Sequence, residues 1–139
     1  MKKLTAASVI AFLLMALVSL EAMSQVPQTQ RANDIAFITG GIGEDEYKDI
    51  EAESKHWPLT IQFSQLDARG KGEWISGVEV MFLNGNKVEI FKAVSDGPIM
   101  LVGLKPGKYE LIATYNDSKK KRLVVIGSQR TQRISIFWK

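Results

Sequence analysis

Pro58-Leu59-Thr60-Ile61-Gln62-Phe63-Ser64 is the stretch from which the rest of the chain is best read. Pro58 disfavours helix at Trp57, so anything helical upstream stops there. Beyond it, Leu59, Ile61 and Phe63 alternate with Thr60, Gln62 and Ser64, the period of two of a strand with one buried face. The same period returns in Val78, Val80 and Phe82, in Tyr109, Leu111, Ala113 and Tyr115, and in Ile134, Ile136 and Trp138. Turn chemistry separates these runs. Asn84-Gly85-Asn86 divides a strand over 78–83 from a hairpin partner over 87–94. Ser95-Asp96-Gly97-Pro98 leads into the apolar run 99–102. Lys105-Pro106-Gly107-Lys108 offers Pro and Gly for the two central places of a type II turn. Asn116-Asp117-Ser118 and Gly127-Ser128 turn the chain again on either side of a strand over 119–126. About eight short strands with turns every ~8–12 residues predict a mainly β fold, an immunoglobulin- or transthyretin-like antiparallel sandwich.

Upstream of Pro58 the pattern differs. Residues 25–34 are polar, without apolar period, and read as a flexible lead-in to a single domain over 35–139. Residues 35–39 fit a short strand, which Gly40-Gly41-Ile42-Gly43 breaks. A short helix is expected over 44–55. It opens on Glu44, Asp45 and Glu46, which suit the positive end of a helix dipole, and it places Tyr47, Ile50 and Ser54 on one side.

The first 24 residues read as a signal peptide. Lys2 and Lys3 precede an uncharged apolar run from Leu4 to Leu20, and Ala22-Met23-Ser24 offers small residues for cleavage near Ser24. The competing reading is a retained anchor, but the run is shorter than the ~20 apolar residues of a spanning helix. Processing predicts a periplasmic or secreted protein with no stable membrane span. The net charge of +3 falls to +2 without Lys2, Lys3 and Glu21, too little to point to nucleic acid. With no cysteine, stability must come from packing.

The segment from Asp96-Gly97-Pro98 through Leu104-Lys105-Pro106-Gly107-Lys108-Tyr109, with the preceding hairpin over 78–94, resembles the carboxypeptidase regulatory-like domain, which has a transthyretin-like fold. The resemblance covers residues 75–138. With the glycine-acid start at residues 40–46, the chain looks like a group of uncharacterised exported proteobacterial proteins that carry this module. The resemblance implies a sandwich with one small helix and no enzyme activity, because the module is a non-catalytic companion beside peptidases. Related adhesin domains form an internal Lys–Asn bond. The last strand here, 131–138, has no Asn or Asp, so no such bond is expected.

The residues themselves argue against common chemistries. His56 is the one histidine, so zinc lacks its usual ligand set. Asp45, Asp49 and Glu53 lack the ligand spacing and turn glycine of a calcium loop and read as a solvated helix face. No Gly-x-Ser-x-Gly elbow occurs, and His56 at a helix end reads as a cation for the last carbonyls. The glycines at 40, 41 and 43 precede a helix, but the following acids would repel a phosphate and the P-loop lysine is absent. Gly40, Gly41, Gly43, Gly97, Pro106 and Gly107 are therefore expected as structural turns, and neither catalytic residues, cofactor nor metal is expected.

Lys119, Lys120, Lys121 and Arg122 form the most concentrated charge in the chain. They read either as a contact for an envelope protein or polymer, or as a solvated hairpin end whose lysines discourage edge pairing. Trp57, Trp74 and Trp138 read as core or rim before binding platform. The favoured expectation is a non-catalytic interaction or accessory module of the bacterial envelope, with an unknown envelope protein or polymer as partner. The alternative is a small-ligand binder or hydrolase using residues 40–56, with Glu44 and His56 as the residues to test.

Overall fold

A computed structural model describes residues 26–139; the signal segment and its cleavage near Ser24 lie outside the described residues. In chain order the strands are β1 (Gln30–Ala32), β2 (Ile35–Gly40), β3 (Leu59–Leu66), β4 (Gly72–Trp74), β5 (Glu79–Leu83), β6 (Glu89–Val94), β7 (Ile99–Val102), β8 (Gly107–Tyr115), β9 (Ser118–Ile126) and β10 (Gln132–Trp138). The helix α1 (Glu44–Glu53) and a 3-10 turn (Ser54–His56) lie between β2 and β3. The strands make two sheets, a six-stranded one in the order β1-β2-β7-β3-β10 with β4 also on β3, and a four-stranded one in the order β6-β5-β8-β9. The result is a β-sandwich carrying one short helix.

Alternation explains the sandwich. Leu59, Ile61 and Phe63 from β3, Met100 and Val102 from β7, and Ile136 and Trp138 from β10 form the inner face of the larger sheet. They meet Val80 and Phe82 of β5, Phe91 of β6, Leu111 and Ala113 of β8, and Val124 and Ile126 of β9. Phe91 sits edge-on to both Phe37 and Phe82, with ring centroids 5.3 and 5.7 Å apart, stitching the two sheets together. A second, smaller cluster forms on the outer face of the larger sheet. Ile38, Ile99 and Leu101 pack there against Ile50 of α1, with Tyr47 and Trp57 at its margin. All four residues of β7 are therefore buried, which is why that run has no polar alternation.

The pairs are antiparallel except β3 with β10, which run parallel from Gln132↔Leu59 to Trp138↔Gln65. The far side of β3 is held by β7 and β4, so β10 takes the remaining side. The chain arrives where β3 begins, with the Gln132 amide donating to the Pro58 carbonyl at 2.9 Å, and so must run the same way.

Several local expectations are corrected. Residues 30–32 of the lead-in form β1, hairpinned to β2 through Asn33 and Asp34 at φ of 50° and 66°. The polar loop over 67–73 contributes its end to β4, beside β3. The helix stops at Glu53 and tightens into the 3-10 turn. At Asn84-Gly85-Asn86 the left-handed residue is Lys87, at φ 63°, because the Asn84 side chain accepts the amides of Asn86 and Val88 and closes a longer turn. Gly107 has φ 156°, far from the value a type II turn needs, and is already the first residue of β8.

Candidate interaction surface

The basic run falls on β9, the last strand of the four-stranded sheet, and residues 118–123 are all exposed. The strand is set by its hairpin. Asn116 and Asp117 have φ of 46° and 62°, the two positive values of a type I′ turn, and Tyr115 pairs with Ser118. Val124 and Ile126 enter the core, so Lys119, Lys121, Leu123 and Val125 lie on the outer face of the sheet. Lys119, Lys120, Lys121 and Arg122 have no acidic ion-pair partner among the described residues.

The same face is apolar further along. Leu123 is 87% exposed and Val125 53% exposed. They border a groove of about 300 Å³ that also touches Lys87, Lys108, Tyr109 and Glu110. Lys87 Nζ donates to Glu110 Oε2 at 2.9 Å. That hydrogen bond holds the Glu110 carboxyl below its ordinary pKa, with Lys87 and Lys121 adding attraction through space. Burial pushes the Tyr109 phenol up, and its hydroxyl donates to the Lys105 carbonyl at 2.7 Å. The groove therefore joins an apolar floor to a rim of fixed charge.

Side chains from β10 reach both ends of β9, Gln132 from its outer edge and Trp138 from the core. Gln132 Nε2 donates to the Val125 carbonyl at 2.5 Å, and Trp138 Nε1 donates to the Ser118 carbonyl at 3.0 Å. From Lys119 to Leu123 no strand among the described residues pairs with that outer edge. Sequence reasoning located the basic run and the strand. It missed the exposure of Leu123 and Val125, for which the apolar run 123–126 was a signal, since alternation must expose half of it.

The glycine-acid loop is closed upon itself. Gly41 and Gly43 take φ of 97° and 88°, and the Gly41 amide donates to Glu46 Oε1 at 2.9 Å. A carboxylate of the chain thus fills the place where an anion would sit. A side chain on Gly97 would collide with the backbone of Gly40, so Gly97 lets the loop after β6 cross the end of β2, whereas a side chain on Gly40, the last residue of β2, would meet Glu46 and Pro27. Pro106 occupies a bend before β8.

The residues of the alternative reading are not brought together. Glu44 begins α1 and pairs with Lys48 at 3.0 Å, whereas exposed His56 ends the 3-10 turn. Ten helical residues, the length of α1, alone separate them by ~15 Å. Of the other acids, Glu53 is engaged by Trp57 Nε1 at 3.0 Å and Glu51 by Arg133 through two hydrogen bonds of 2.9 and 2.7 Å. Among the described residues there is no group of three or more His, Cys, Asp or Glu that could hold a metal ion. No helix among them is long and apolar enough to cross a membrane. Trp138 is core and Trp57 half-buried, while Trp74 is 58% exposed beside Tyr47. The chain matches no protein-family model and no curated protein.

Proposed function

We propose that the chain is an exported, non-catalytic interaction module of the bacterial envelope, acting in the periplasm or outside the cell after removal of residues 1–24. The contact surface in this reading is β9, with Lys119, Lys120, Lys121 and Arg122 meeting an envelope protein or polymer. One observation carries it: four consecutive cations stand exposed on the terminal strand of a sheet, none of them in an ion pair with an acid among the described residues, next to the 87% exposed Leu123. Leu123 and Val125 continue the basic face as an apolar strip beside the groove. The transthyretin-like reading is supported by the sandwich, by Asp96-Gly97 ahead of β7 and by Leu104-Lys105-Pro106-Gly107-Lys108-Tyr109 entering β8. It assigns the module a companion role rather than chemistry.

The test is photo-crosslinking from position 121 in the native envelope, combined with fractionation. A discrete crosslinked species is expected, and its loss when Lys119, Lys120, Lys121 and Arg122 are all changed to Gln. Mass spectrometry of the exported form should show a mature N-terminus at Gln25. Retention in the cytosol, or no crosslink that depends on the four cations, overturns the proposal.

A further inference from the structure

The face of β9 is basic, and one edge of its backbone has no strand beside it. In a type I′ hairpin the Tyr115 carbonyl accepts the Ser118 amide, so Tyr115 and Ser118 form a hydrogen-bonded pair. In an antiparallel ladder such pairs alternate with pairs whose N–H and C=O point away from the partner strand. Lys120, Arg122, Val124 and Ile126 therefore bond to β8, and Lys119, Lys121, Leu123 and Val125 aim their backbone groups outward. The Gln132 contact supports this parity, since it reaches the Val125 carbonyl from outside the sheet. Gln132 closes the outward edge at Val125, which leaves Lys119 to Leu123 as the open window.

We infer that this window receives an extended acidic segment of another exported protein, which adds antiparallel to β9 as a fifth strand of the four-stranded sheet. This rests on the reading of β9 as the contact surface. The occupant follows from charge and register. Lys119, Lys121 and Leu123 stand on the outer face opposite Thr114, Ile112 and Glu110 of β8. An antiparallel strand placed against them has residues facing Leu123, Lys121 and Lys119 in that order, so the fitting pattern is apolar-x-acidic-x-acidic. A second copy of this chain fits poorly, because pairing β9 with β9 sets four cations against four cations. The apolar residue of the incoming strand would extend the floor formed by Leu123 and Val125.

The processed protein is titrated with a fluorescent seven-residue peptide, Thr-Leu-Thr-Glu-Val-Glu-Thr, and amide hydrogen exchange is followed residue by residue. Binding is expected to slow exchange at Lys119, Lys121 and Leu123 and to weaken steeply with salt. The same peptide N-methylated on the residues facing β9 should bind at least ~10-fold more weakly, as should the Lys119→Glu, Lys121→Glu variant. Because the N-methyl comparison uses unaltered protein, it decides the matter even if the variant folds badly. Equal binding by methylated and unmethylated peptide, with loss in the variant, overturns strand addition but leaves a basic contact surface in place. No peptide binding, together with dimers that protect the same amides, or binding of anionic lipid vesicles in preference to the peptide, also overturns it. Failure of the envelope crosslink, by contrast, would remove the contact surface itself.

Discussion

Gly97 shows how closely a loop can approach a strand's backbone where it carries no side chain. A methyl group there would run into the backbone of Gly40, so Gly97→Ala must push β2 away from the loop after β6. The expected loss is about 2–3 kcal/mol in urea denaturation, as for an overpacked core. Gly43→Ala meets open space, and its φ of 88° alone is strained, so its cost should be nearer ~1 kcal/mol. Similar losses for the two would refute the close-approach account. Glu110 makes a second residue-level prediction. Lys87 holds its carboxyl below the ordinary glutamate value. Such a group stabilises the fold above its unfolded pKa, and that stability is lost as pH falls through the folded one. Glu110→Gln should therefore flatten the fall in urea midpoint between about pH 5 and pH 3. An unchanged pH profile would show that the ion pair contributes nothing.

Among the elements, the hairpin of β8 and β9 carries the candidate surface and depends on its turn. Asp117 holds φ 62° without being glycine. Asp117→Gly should relieve that strain and raise stability by about 0.5 kcal/mol, net of the greater freedom of glycine in the unfolded chain. A drop in thermal midpoint would mean that the Asp117 side chain does something the backbone angle does not capture. The helix α1 is fastened at three points. Ile50 is buried against β2 and β7, Glu46 bonds the Gly41 amide, and Glu51 grips Arg133 of β10. Only the first is burial, so it should dominate, since partly exposed ion pairs contribute little.

At the level of the molecule, the sandwich concentrates its stability between the sheets. Phe91 lies at the junction with Phe37 and Phe82 and is 1% exposed. Phe91→Ala should cost about 3–5 kcal/mol, read from chemical denaturation. Hydrogen exchange should order the strands by burial. The amides of β7, covered on both faces, should exchange slowest, and those of β1 and β4, short and largely exposed, fastest. Protection of β4 equal to that of β7 would contradict the two-cluster description of the core.

How much of this was legible beforehand depends on whether the signal was local. The alternation in Leu59-Thr60-Ile61-Gln62-Phe63 and its repeats announced strands, because side chains on a strand must face opposite ways whatever surrounds them. Gly41 and Gly43 announced a strained turn for a reason as local, the absence of a Cβ. The basic run announced a charged strand. Its chemistry was visible, but its position was not. That β9 ends its sheet, that Gln132 closes its edge at Val125, and that Leu123 is bare beside it follow from which strands pair across long stretches of chain. Likewise β1 and β4 carry no apolar period and exist because β2 and β3 offer free edges. The parallel seat of β10 arises because β3 had one side left. A chain writes its side-chain pattern residue by residue, whereas the neighbour of an edge is chosen by burial summed over the whole fold.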